Sequence, residues 1–146
     1  MYAVLAPIDE NDERVRSQIE TIRGLPAAPD DIAVDALHVR EELYFSAEDV
    51  EDASIGRLEE DLEDLSEPPE TASLIATELL DSGFETAVHA ATGRPAAAIV
   101  DVAERLDVDL LVLGARRQSP VGKALFGSAA QLVLFDADRP VTVVPS

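Results

Sequence analysis

Apolar positions along the chain fall into short continuous runs that alternate with stretches of helical spacing. Residues 2–9 (YAVLAPID) are an apolar run ending in a proline turn, the pattern of a short buried strand. Val15, Ile19 and Ile22 then recur every three or four residues and predict a helix that Gly24 and Pro26 stop. Residues 32–39 (IAVDALHV) are β-rich again. Within 41–70 an apolar face survives at Ile55, Leu58, Leu62 and Leu65, so a helix is predicted there, ended by Pro68 and Pro69. A further helix is predicted over 71–82, closed by Gly83.

The second half is more regular. Residues 84–91 (FETAVHAA) predict a strand, and a helix follows with Pro95 in its first turn and Ile99, Val102, Ala103 and Leu106 on one stripe. In residues 108–114 (VDLLVLG) the stretch after Asp109 is a continuous apolar run, as expected of a strand covered on both faces. A helix over 128–136 and a last strand in PVTVVPS complete the chain. Strands and helices alternate throughout, with connections long enough for right-handed parallel crossovers. The expected fold is therefore an open parallel sheet with helices on both faces.

Composition narrows this picture. A chain of 146 residues fits one domain, here 1–146, and 47% hydrophobic content is enough apolar surface to fold despite the charge. Only 4% is aromatic, so the core must be aliphatic. There is no cysteine, which excludes disulfides, thiolate metal sites and a cysteine nucleophile. The opening MYAVLAPID has no basic leader, and no run approaches ~20 apolar residues, so a soluble cytoplasmic protein is expected.

Charge adds a second constraint. Thirty Asp and Glu face eleven Lys and Arg, a net −19, and such a field repels nucleic acid and anionic membranes. Abundant acid with a single lysine has the form of a halophilic surface, where screening makes dense negative charge tolerable. Residues 41–70 hold 13 acids and one base and read as a solvated surface insertion or lid. By contrast, residues 110–135 hold three bases and no acid, leaving 8 − 30 = −22 for the rest. A positive island in a negative field is a place to hold an anion.

That island contains LGARRQSPVGKALFGS (113–128), with three of the seven glycines and the only lysine. In open parallel sheets ligands bind beyond the carboxyl ends of the strands, where strand order reverses. This loop follows a strand and leads to a helix N-terminus at Ser128, whose free amides favour an anion. Two phosphate motifs fail. A Walker loop placed on Gly122 and Lys123 would need glycine at Arg117 and a hydroxyl at Ala124, and GxGxxG does not occur.

A third pattern fits better. Gly114, position 117, Gly127 and Ser128 have the spacing GxxGx9G[ST], which resembles the nucleotide loop of the universal stress protein family. The resemblance extends to PID after the first strand, LHV at the end of the second, ATGRPAAAIVDVAERLDVDLLVLG and ADRPVTVVP. It implies a doubly wound α/β domain of the adenine nucleotide alpha hydrolase-like kind, five parallel strands in order 3-2-1-4-5, which works as a dimer and in many members binds ATP. By the same resemblance Asp9, with the backbone at Pro7, Ile8 and Val39, would hold the adenine and ribose end. Gly114 would let the loop turn beside the ribose and phosphates. Gly127, Ser128 and the Ala129 amide would hold phosphate, with Arg116 nearby and Mg2+ accompanying ATP. Arg117 departs from the family pattern, because it stands where the second glycine is expected. Its side chain either fills the phosphate space or donates to phosphate.

Each of these residues also has a plainer reading. Asp9 serves either as cap of the following helix or as a ligand group. Ser128 with Gln131 satisfies a capping box, Gly122 is a turn glycine, and Arg116 and Lys123 balance nearby acids. His38 and His89 sit in strands without a partner carboxylate and are structural. No nucleophile, positioned base or oxyanion hole is legible. Three functions follow: a dimeric adenine-nucleotide binding module, a dimeric interaction module whose pocket Arg117 closes, and a very slow ATPase. The edge formed by Val141, Thr142, Val143 and Val144 is the expected homodimer contact.

Overall fold

A computed structural model describes residues 1–40, 68–115 and 128–145. The helix expected at Ile55, Leu58, Leu62 and Leu65, and residues 116–127 of the glycine loop, lie outside the described residues. In chain order the elements are β1 (Tyr2–Ile8), α1 (Asp12–Arg23), a 3-10 turn (Pro29–Asp31), β2 (Ile32–Arg40), α2 (Glu70–Asp81), β3 (Glu85–Thr92), α3 (Pro95–Arg105), β4 (Leu110–Ala115), α4 (Ser128–Asp136) and β5 (Val141–Pro145). All strand pairs are parallel, in order β3-β2-β1-β4-β5. The order reverses between β1 and β4.

Side chains alternate across the sheet and bury both faces. Val4, Ala6, Val34, Ala36, Leu110 and Val112 join Val15, Ile19 and Ile22 of α1 and Ile75 and Leu79 of α2 in one cluster. Leu5, Leu37, Leu111 and Leu113 join Ile99 and Ala103 of α3 and Val133 of α4 in the other. Two covered faces explain why β1 and β4 read as unbroken apolar runs. Each fully buried Leu or Ile side chain contributes ~1.5 to 3 kcal/mol.

Local chemistry sets the ends of the helices. Asn11 is the N-cap of α1, its side-chain oxygen accepting the Arg14 N–H at 2.9 Å, so the cap considered for Asp9 belongs two residues further on. Asp12 and Glu13 place negative charge in the first turn, where the helix dipole favours it. Gly83, at φ +93°, turns the chain out of α2 in a conformation that L side chains rarely adopt. Leu106, expected on the buried stripe of α3, is its C-cap residue and is exposed.

One further expectation is corrected by the sheet. His89 has a carboxylate partner: its Nε2 lies 2.7 Å from Asp35 Oδ1. His89 sits opposite Leu37 on β2, and Asp35 two residues earlier projects to the same side. A cross-strand diagonal of this kind leaves no spacing signal in a single sequence.

Candidate functional site

The β1–β2 ladder runs from Tyr2↔Ile32 to Ile8↔His38, whereas β1 and β4 pair only at Val4↔Leu110 and Leu5↔Leu111. Beyond Leu5 the two strands form a fork, and α1 fills it. Gln18, 1% exposed, sends its Nε2 to the Pro7 carbonyl at 2.7 Å and to the Val112 carbonyl at 3.0 Å. One amide thereby satisfies a backbone acceptor on each arm.

Arg14 lies one helical turn before Gln18. Its Nη1 is paired with Asp9 Oδ2, while Asp9 Oδ1 accepts the Asn11 N–H at 3.0 Å. The Asp9 carbonyl accepts the hydroxyl of buried Thr71 at 2.6 Å, tying the end of β1 to the first turn of α2. At Gly114 a Cβ would meet Arg14 Cγ at 2.6 Å and Cδ at 2.8 Å. The arginine stem thus occupies the space any side chain there would need.

Beyond the fork is a cavity of about 200 Å³ lined by Pro7, Ile8, Asp9, Arg14, Leu37, Val39, Pro95, Ile99, Leu113, Gly114, Ala129 and Ala130. It adjoins a wider cleft of about 760 Å³ that adds Glu10, Asn11, His38 and Arg40. In the smaller cavity the walls from β2, α3 and β4 are aliphatic, and the polar groups converge from the end of β1 and the start of α1. Burial, and after it the positive charge of Arg40, holds the His38 pKa below its usual 6.5, with Glu10 acting weakly the other way. His38 is therefore a neutral wall residue near pH 7.

Of the residues singled out in the sequence, Pro7, Ile8, Asp9, Val39, Gly114 and Ala129 come together around this one cavity. Ser128 opens α4, but its side chain lies outside the described residues, as do Arg116, Arg117 and Gly127. Arg14 and Gln18 were missed. A signal existed for Gln18, which takes the i+3 place on the stripe of Val15, Ile19 and Ile22. Arg14 left none, since an arginine in a first helical turn is ordinarily solvated. Among the described residues no group of three or more His, Asp or Glu side chains is arranged to hold a metal ion. No described helix is long and apolar enough to cross a membrane.

Comparison with known proteins agrees with this architecture. A universal stress protein from Mycolicibacterium smegmatis is 36% identical over 77 residues, covering 48% of this chain and 55% of that protein. The match thus spans about half of that relative's length. A structure of the universal stress protein from Archaeoglobus fulgidus superposes with a TM-score of 0.65 at 24% identity, covering 99% of this chain and 98% of that one. A structure of the Archaeoglobus fulgidus protein in complex with dAMP gives a TM-score of 0.63 at 20% identity, again over 99% and 98%. The family model for the Universal stress protein family matches residues 1–145, and the chain belongs to that family.

Proposed function

We propose that this protein is a dimeric stress-response module that binds an adenine nucleotide, ATP with its Mg2+ or a related adenosine phosphate, at the fork between β1 and β4. The observation that carries the reading is the convergence of Pro7, Ile8, Asp9, Val39, Gly114 and Ala129 on one cavity at the point of strand reversal. Aliphatic walls from Leu37, Val39, Ile99 and Leu113 suit a base, and the Asp9 carboxylate suits a hydroxyl or amine donor. Ala129, in the first turn of α4, sets a helix start against both cavity and cleft, where phosphate is favoured. The dAMP complex of the Archaeoglobus fulgidus relative supports an adenosine phosphate as the class of ligand. The role proposed is binding rather than turnover.

Thermal unfolding with and without millimolar ATP and Mg2+, in high salt, tests the reading. Ligand at about a hundred times its Kd stabilises the folded state by ~2.7 kcal/mol, which for a domain of this size is a rise in Tm of about 5 to 10 °C. An unchanged Tm overturns it. The dimer belongs to the same reading, because β5 bonds only β4 and leaves an unpaired edge among the described strands. A monomeric mass in sedimentation equilibrium removes that part.

A further inference from the structure

The fork contains a side chain that has, among the described residues, a single polar partner. The Arg14 stem lies across Gly114, and at the cavity wall its guanidinium pairs with Asp9. Its Nε is buried and has no hydrogen-bond partner among the described residues. A buried donor without an acceptor weighs against the tucked position. What weighs for it is the Asp9 pair, and Asp9 is 46% exposed and open to competition. Both Asp9 oxygens are engaged within the chain, one by Arg14 and one by the Asn11 amide. The inner cavity beside them holds about 200 Å³, below the roughly 300 to 1,000 Å³ of small-molecule sites, and opens onto the wider cleft of about 760 Å³ that Asp9 and Arg14 also line.

An arginine that anchors an anion presents a free edge of its guanidinium. Here one Nη is committed to Asp9 and Nε is buried without a partner among the described residues. We infer that Arg14 sets the affinity of the crevice by competing with the ligand for Asp9. Binding requires the guanidinium to leave the carboxylate, and departure of the stem enlarges the cavity toward the size of a nucleoside. The inference rests on the nucleotide reading above and adds to it a built-in competitor.

Isothermal titration of the full chain with AMP tests this in the wild type, Arg14→Met and Arg14→Ala. Methionine keeps an aliphatic stem against Gly114 and guards against misfolding, while alanine removes both charge and bulk. Both variants are expected to bind AMP more tightly, Arg14→Ala by about tenfold, or ~1.4 kcal/mol. Unchanged or weaker binding in both overturns the competition and makes Arg14 idle or an anchor. Tightening in Arg14→Ala alone assigns the effect to bulk and also overturns it. If neither the wild type nor any variant binds AMP at millimolar concentration, the nucleotide reading itself falls. That result is distinct from a wild type that binds and variants that bind no better.

Discussion

The two seams of β1 are built on different principles. Toward β2 the strand is zipped along its whole length, from Tyr2↔Ile32 to Ile8↔His38, and the backbone ladder alone satisfies its polar groups. Toward β4 the ladder stops at Leu5↔Leu111, and from there side chains of α1 do what backbone does on the other side. Gln18 bonds both arms, Arg14 fills the gap over Gly114, and Asn11 caps the helix that carries them. A crevice at a strand reversal needs such substitution. Opening the sheet exposes carbonyls that would otherwise be orphaned, and donors from the next helix can meet them without closing the space.

Removing the donor breaks the weaker seam most directly. Gln18→Leu keeps the volume and apolar fit but leaves the Pro7 and Val112 carbonyls without their side-chain donor in a buried setting. Two lost bonds and two unsatisfied acceptors cost ~2 to 4 kcal/mol, a fall in Tm of about 5 to 15 °C. Thr86→Val is a control on β3, away from both seams of β1, because that hydroxyl bonds the Phe84 carbonyl of its own chain segment, at 3.2 Å. Its cost should stay below ~1 kcal/mol. Denaturant titration of both variants measures the contrast, and equal losses would mean that Gln18 does no more for the open seam than an ordinary hydroxyl elsewhere in the sheet.

A smaller effect is expected at Gly114. No left-handed backbone requires glycine there; the constraint is the Arg14 stem at 2.6 Å and 2.8 Å from where a Cβ would stand. Gly114→Ala should cost ~1 to 3 kcal/mol, as overpacking does. In an Arg14→Ala background the same change should be close to neutral. A double-mutant cycle with a coupling of ~1 to 2 kcal/mol is the expected result. Additive losses would show that the glycine is kept for some reason other than the arginine.

How much of this was legible follows from what each residue answers to. The strands and helices and their alternation along the chain came from apolar runs and helical stripes, which depend on burial and little else, whereas the strand order and its reversal point came only with the family resemblance. Gly114 was flagged through a loop pattern, yet its tight contact is with Arg14, a pairing across 100 residues that spacing cannot reveal. Asp9 was placed at the site, but its division between cap and ligand group could not be resolved, because Asn11 competes for the cap with an equally suitable side chain. His89 read as partnerless because its carboxylate, Asp35, is brought near only by β2–β3 register. The positive island at Arg116, Arg117 and Lys123 is a feature of the sequence alone, since it falls outside the described residues.

The smallest expected effect separates the seams by their response to pH. His38 closes the zipped side opposite Ile8 and lines the cleft, with its pKa lowered first by burial and then by Arg40. As pH falls below about 6.5 the unfolded chain takes up this proton while the folded chain still resists it. The unfolded state then binds more protons, so this residue's contribution to stability declines with acidification through that window and levels off below the folded pKa. His38→Gln cannot titrate and should lose less stability than the wild type between pH 7.5 and 5.5, a range of about one unit to either side of the free histidine value. The many carboxylates titrate alike in both proteins and cancel in the difference. Across the fork the Gln18 amide does not titrate, so the Gln18→Leu loss should be the same at both pH values. If the His38→Gln and wild-type curves run parallel while the Gln18→Leu loss changes with pH, the assignment of the pH-sensitive group to the β2 side is wrong.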